Sequence, residues 1–340
     1  MAEAKISTDL GTEQVQRYLK IAKDLKIDAF VTISNQFVIS PTVSPCSDLT
    51  TKDKKNISIF HWSYLETEAK VQLSKSAVSD PDQAYLLSEY VRFLEHTKTG
   101  VSEFKQVSTS WVELCKAIQG KNPIEKKSPL IDSVVSDWNE LTRCTSLRLS
   151  RSLGTNVTFY TTSKERKDPL IRVQALRRGL EEGNLLQLTL NVPYAAAPIV
   201  IEASLESQSV IVSMEVSAPL DRKRASACVN WLLRQLSDSE GDAIDVEAKW
   251  PGRNGDTFCN LAKLRDNVDE IAKDRKGLLP KAFVIKIVSR LGTKFTQRQN
   301  FVSEFVGCVE SFYSEVGQYI LPWQAPPPKP TDILSSNEEC

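Results

Sequence analysis

The sequence predicts an α/β protein in two domains, and three observations carry that reading. Near the N-terminus, Val15, Leu19, Ala22 and Leu25 recur at helical spacing, and Asp28-Ala29-Phe30-Val31-Thr32-Ile33-Ser34 then reads as a strand. Helix starts with a polar residue before proline recur at Asp80-Pro81 and Asp168-Pro169. Three strands follow one another in the second half, at Leu185 to Val192, Ile199 to Leu205 and Val210 to Ser217. Glu206-Ser207-Gln208-Ser209 joins the last two at a hairpin-like spacing. With 340 residues and 41% apolar content, the chain has room for two domains and a substantial core.

Taken in order, Thr12 is placed to cap the first helix, with Glu13 in its first turn. Pro41, Pro45 and the polar run Ser47 to Asn56 read as an exposed loop. Ile57-Ser58-Ile59-Phe60-His61-Trp62 reads as a strand and Ser63 to Leu73 as a helix. Asp80, Pro81 and Gln83 form a capping-box start, followed by a stripe of Ala84, Leu87, Tyr90, Val91 and Leu94 that ends before Gly100. Trp111, Leu114, Cys115 and Ile118 make a short helix stopped by Gly120. The charged, proline-bearing stretch Lys121 to Pro129 reads as the domain boundary, giving domains at 1–120 and 130–323.

The second domain opens with a helix from Ile131 to Leu149 and a strand at Val157 to Thr161. A helix from Asp168-Pro169 to Gly183 comes next, and after the three strands another from Asp221 to Leu236. Strands near Ile244 to Ala248 and Phe283 to Ser289 follow, then a helix from Gln297 to Ile320 that buries Phe301, Phe305, Cys308, Phe312 and Val316. Pro326-Pro327-Pro328-Lys329-Pro330 marks 324–340 as a disordered tail.

Chemistry concentrates in the first eighteen residues. Glu3-Ala4-Lys5 is a Glu-x-Lys triplet at a strand, and Gln14 and Tyr18, four apart, share one face of the helix that follows. Triplet, helix pair and following strand resemble the second half of a PD-(D/E)xK nuclease core, in the subgroup with a Gln-x-x-x-Tyr helix. Phe60-His61-Trp62-Ser63, Asp80 to Glu89 and Val229 to Leu236 are similar to a group of uncharacterised bacterial proteins with the same nuclease-like core. The resemblance implies a partial restriction-endonuclease-like core followed by a second α/β (α+β) domain. It makes Glu3 a Mg²⁺ ligand, Lys5 the catalytic lysine, and Gln14 and Tyr18 residues that contact substrate or order the site. Mg²⁺ suits such a site because it takes oxygen ligands and keeps several waters.

That family's second acid lies on a preceding strand, and here the motif begins three residues from Met1. The expectation is an internal start or a split gene, with an upstream helix and acid-bearing hairpin in frame. The activity implied is Mg²⁺-dependent hydrolysis of DNA by ancestry, impaired in this chain. The alternative is a non-catalytic interaction or scaffold protein in bacterial stress or defence, with a protein partner.

Other features rank behind this site. Arg222, Lys223 and Arg224 fall on the first turn of the Asp221 helix, where the macrodipole disfavours cations and a nucleic-acid phosphate would relieve them. Formal net charge is zero, so nucleic-acid binding must come from such a local patch. Glu247-Ala248-Lys249 repeats the triplet without a Gln-x-x-x-Tyr helix and reads as a solvated strand end. His61 and His96, the only histidines, read as structural, and the 13 glycines form no phosphate-cradling fingerprint. Those patterns weigh against zinc enzymes, nucleotide hydrolases and dehydrogenases. Trp62, Trp111, Trp138 and Trp231 read as core. Seven scattered cysteines, Cys340 terminal, fit idle thiols in a reducing cytoplasm, and no window resembles a membrane span or export signal.

Overall fold

Two sheets of opposite character organise the chain. The computed structural model describes residues 1–5, 8–38, 41–46, 48–50, 52–53, 56–75, 77–94, 96, 104–122, 128–275 and 277–324. The expected helix end at Gly100, most of the Lys121 to Pro129 boundary and the tail from residue 325 lie outside these residues.

The first sheet is parallel, with β1 (Ala2–Ala4), β2 (Ala29–Ser34) and β3 (Ser58–Ser63) in that spatial order. Parallel neighbours need a crossover, and α1 (Thr12–Asp24) supplies the one between β1 and β2. Its Val15, Leu19 and Ala22 bury against Phe30 on the central strand. The helix begins one residue earlier than Thr12 capping requires. Gly11 is the cap and offers no side chain, so Thr12 is the first helical residue. The segment expected to be an exposed loop also contributes to this core, because Cys46 and Leu49 are both buried in it.

The second sheet has seven strands: β4 (Thr158–Phe159), β5 (Leu185–Asn191), β6 (Ile199–Ser204), β7 (Ser209–Ser217), β8 (Ile244–Lys249), β9 (Thr257–Asn260) and β10 (Ala282–Arg290). Their order is β4-β5-β6-β7-β10-β8-β9, and every neighbouring pair is antiparallel. Such a sheet needs only one covered face. On β6, Ile199, Ile201 and Ala203 are buried while Val200, Glu202 and Ser204 are not. The opposite face carries polar cross-strand pairs: Gln187 with Glu202 at 3.1 Å, Lys286 with Glu247 at 3.3 Å and Lys249 with Glu215 at 2.6 Å. The second Glu-x-Lys triplet is therefore spent on ion pairs at the sheet surface. Architecture is thus mixed α/β, parallel first and antiparallel second.

Helices fill the covered face. α4 (Thr109–Gln119), α5 (Pro129–Leu153) and α10 (Arg298–Phe312) meet in an aromatic cluster. Trp111 stacks on Phe301 at 4.3 Å between centroids, and Trp138 meets Phe305 edge-on at 5.2 Å. Trp111 Nε1 donates to the Phe295 carbonyl at 3.0 Å, which satisfies the polar end of a fully buried indole. Core membership groups α4 with the large sheet, so the division between the two cores falls ahead of Val107 and not at Lys121 to Pro129.

Start signals hold where an acid precedes proline. Asp80 Oδ1 accepts from the Asp82 N–H at the start of α3 (Pro81–Leu94), and Asp168 Oδ1 from the Leu170 N–H at the start of α7 (Leu170–Gly183). Of the α3 stripe, Val91 and Leu94 are buried, whereas Tyr90 stays 39% exposed. α6 (Ser163–Lys167), β9 and α9 (Leu261–Asp266) have no counterpart in the sequence reading, because elements of four to six residues are too short to show a period. The last helix is α-helical only to Phe312 and continues as a π turn over Tyr313–Gly317. Among the described residues no helix is long and apolar enough to cross a membrane.

The two sheets are joined through α2 (Tyr64–Lys75), which lies along α5. The apolar seam between them is thin, consisting of Ala69, Leu147 and the half-buried Cys144. Two ion pairs flank it: Arg143 to Glu66 at 2.7 Å and Arg151 to Glu68 at 3.0 Å. Both carboxylates are buried. Removing one partner of such a pair leaves a charge without compensation, whereas replacing both with apolar groups is close to neutral. Glu66→Ala should therefore cost about 3 kcal/mol in denaturant unfolding, and Glu66→Met with Arg143→Met should recover most of it. A single mutant as stable as the parent would show that the pair does not hold the units together.

Candidate functional site

The small sheet carries a polar row across its buried face. Glu3 is in register with Thr32, and Thr32 with His61, so the three residues lie side by side on adjacent parallel strands. Period-two alternation puts Phe30, Thr32 and Ser34 on the face that α1 covers. Thr32, Ser34 and His61 are essentially inaccessible to solvent. The row sits toward the carboxyl ends of the strands, where open parallel sheets hold ligands.

Each member has a partner. Gln14 Nε2 donates to Glu3 Oε1 at 2.8 Å, so one residue of the triplet and one of the helix pair are in contact. Tyr18, one turn on, sends its ring toward Phe30 at 6.4 Å and is half-buried on the small core. Lys5 lies just past β1, and its backbone N–H donates to the Ile33 carbonyl at 2.9 Å. His61 Nε2 faces the Gln36 carbonyl at 2.9 Å, and a carbonyl only accepts, so that nitrogen carries the proton. Nδ1 therefore accepts from the Thr32 hydroxyl at 2.9 Å. Burial holds the His61 pKa below its ordinary value despite the opposing bond to Gln36, so the ring is neutral at neutral pH. Ser34 and the Leu10 N–H both reach Gln36 Oε1, which ties the strand end to the entry of α1.

This row offers a Mg²⁺ ion few ligands. Glu3 is a single carboxylate, and one of its oxygens already accepts an amide N–H. Its row neighbours are a threonine and a histidine whose two ring nitrogens are both engaged. Among the described residues no three His, Cys, Asp or Glu side chains converge. Mg²⁺ keeps several waters and is held through one or two carboxylates with substrate phosphates, and Glu3 is the single carboxylate of this row. What the row can do is hold strand ends and α1 in register.

The cationic segment of the second unit lies elsewhere and differs from its sequence reading. α8 spans Ala225–Gln235, so Arg222, Lys223 and Arg224 precede the helix and do not occupy its first turn. Arg224 is the cap residue, with extended backbone and no side-chain bond to the first amides. The conflict with the macrodipole is relieved because the cations sit beyond the helix end, on side chains free to turn away from it. Lys223 and Arg224 line a cavity of about 520 Å³ together with Lys273, Arg275, Asp269 and Glu270. Ala225 and Ser226, at the uncapped start of α8, form part of its wall. Arg222 is not in the wall and pairs with Asp221 at 3.5 Å. Lys273 and Arg275 escaped the sequence reading because they are some fifty residues away in the chain.

No family model, curated protein or solved structure matches this chain. Function therefore rests on the residues themselves. Burial pushes the Cys115 thiol up to about 12 and also raises Cys228, Cys259 and Cys308, away from the thiolate that a nucleophile requires.

The His61 geometry carries a pH dependence. Its folded pKa lies below the 6.5 of an ordinary histidine, so between those values the unfolded chain binds more protons. Stability should then fall as pH drops below about 6.5. Asp137 and Glu140, raised by burial, act in the opposite sense. The difference between the parent and His61→Asn isolates the histidine. The parent should lose more melting temperature than the variant between neutral and mildly acidic pH, and parallel curves would refute the buried neutral ring.

Proposed function

We propose that this chain is a nuclease-related nucleic-acid-binding protein that grips the phosphate backbone without cleaving it. The ancestry reading rests on Glu3, Lys5, Gln14 and Tyr18, and the Gln14 to Glu3 hydrogen bond supports it as far as placement goes. Catalysis is not part of the proposal, because one carboxylate already bonded to Gln14 is a poor seat for Mg²⁺.

The observation that carries the binding role is the cavity at the start of α8. Lys223, Arg224, Lys273 and Arg275 outnumber Asp269 and Glu270 in its wall, and the unshielded amides of α8 add a positive helix end. A chain with zero net charge has no long-range attraction to nucleic acid, so the attraction must be local. Phosphate contacts position a protein without reading sequence. The expected behaviour is binding that ignores base order and weakens with salt.

A scaffold role is the second reading, and α3 favours it. Tyr85, Leu86 and Phe93 are 63%, 66% and 48% exposed on that helix, more apolar surface than a solvated face needs.

Replacing Lys223 and Arg224 with Ala should weaken binding to duplex DNA equally for unrelated sequences. The slope of log affinity against log salt should flatten by about 0.9 for each phosphate that the variant no longer neutralises. Arg222→Ala, outside the cavity, should change neither. Unchanged affinity and slope in the double variant would remove the nucleic-acid role and leave the scaffold. In the same assays Mg²⁺ should produce no cleavage, and robust cleavage abolished by Lys5→Ala would restore the enzyme.

A further inference from the structure

A second cavity, of about 250 Å³, opens where the two units meet. Pro41 and Thr42 of the first unit face α5, α6 and α7 across it. Three arginines from three different helices line the space: Arg143 on α5, Arg166 on α6 and Arg172 on α7. Asn139 and Thr161 add neutral hydrogen-bonding groups.

The negative charge available is short of the positive. Glu165 is the one carboxylate in the wall, and its Oε2 already accepts from the Thr162 N–H and hydroxyl at 2.7 Å in a capping box. Glu66 compensates Arg143 from outside the cavity. Arg166 bonds the Ser163 hydroxyl at 3.2 Å, and Arg172 is the more enclosed of the two arginines that no carboxylate pairs among the described residues. Its guanidinium lies over the Phe159 ring at 4.0 Å, and its Nη2 is closed off from solvent with no hydrogen-bond partner. Burial is strong enough to bring its pKa down to about 10, with Glu165 opposing and Arg143 adding to the fall. A buried guanidinium nitrogen without a partner costs stability unless something completes it.

We infer that this inter-unit cavity is an oxyanion site that takes the phosphate group of a phosphate monoester. A planar carboxylate matches one arginine fork. Here arginines from three helices line one space with an amide and a hydroxyl, which suits a tetrahedral group with three free oxygens. The volume falls just under the range of pockets for drug-sized ligands, so it holds a phosphate and a few attached atoms. Two sources carry that group: a small phosphorylated metabolite, or the terminal phosphate of a nucleic-acid strand. Because Arg143 also clamps Glu66, and Pro41 accepts from the His61 N–H at 2.7 Å, the ligand would bear on both units at once. The site shares no lining residue with the α8 cavity and does not depend on it.

Calorimetric titration of the full chain with inorganic phosphate, ribose 5-phosphate against ribose, and a short oligonucleotide with and without a 5′-phosphate tests the site. With the oligonucleotides titrated into the Lys223→Ala, Arg224→Ala protein, where backbone binding at the α8 cavity is weakened, phosphorylated ligands should bind and their unphosphorylated counterparts should bind at least about tenfold more weakly. Ribose 5-phosphate binding assigns the source to a small metabolite, and binding by the phosphorylated oligonucleotide alone assigns it to a strand end. Arg172→Met, which keeps an unbranched stem over Phe159, should weaken binding at least about tenfold. Arg166→Gln, on the exposed α6, should weaken it too and carries the test if the first variant does not fold. The Lys223→Ala, Arg224→Ala protein should bind ribose 5-phosphate as the parent does. Equal affinity for phosphorylated and unphosphorylated ligands, or affinity unchanged in both arginine variants, overturns the assignment.

Discussion

Two buried carboxylates, Glu66 and Glu68, set the terms on which the halves of this molecule meet. Each enters the junction of α2 and α5 as an ion that has lost its water, and each is restored by one arginine. Among the described residues the apolar seam beside them consists of Ala69, Leu147 and Cys144. Such pairs add less to stability than they remove when half-broken, but they fix register, because a shifted α2 would strand two charges. The inter-unit cavity depends on that register, since Arg143 belongs both to the clamp and to the cavity wall.

The polar row on the small sheet is a second consequence of desolvation. Thr32, Ser34 and His61 occupy positions that an ordinary parallel sheet would fill with apolar side chains. Their cost is offset because each bond has a defined direction. The carbonyl of Gln36 fixes the His61 tautomer, and the tautomer fixes the Thr32 hydroxyl. A fully satisfied network of this kind rigidifies what it joins. It occupies both nitrogens of the His61 ring.

Positive charge is placed by the large sheet's one-sided burial. Polar cross-strand pairs consume the lysines of the open face, at Lys249 and Lys286. Surplus cations collect instead at the edges of the helix layer, where chain segments distant in sequence converge: Lys223 and Arg224 with Lys273 and Arg275, and Arg143 with Arg166 and Arg172. A net charge of zero thus conceals two local excesses.

Local rules determined much of the fold. Helical spacing of Val15, Leu19 and Ala22, the acid before proline at Asp80 and Asp168, and the strand runs from Leu185 to Ser217 all describe interactions spanning a few residues, and all formed as read. The bond from Gln14 to Glu3 joins two residues that the sequence singled out for separate roles, and their pairing came with the packing of α1 on the sheet. Other features were decided only in three dimensions. The start of α8 at Ala225 follows from backbone that is extended through Arg224, which no periodicity records. Membership of α4 in the large core depends on Phe295 and Phe301, nearly two hundred residues beyond Trp111. The Arg143, Leu147, Arg151 stripe on α5 is regular enough to notice, at four-residue steps, but its meaning needed Glu66 and Glu68 opposite. Charge compensation and cavity shape depend on which segments meet, and segments far apart in the chain meet only once the whole core has closed.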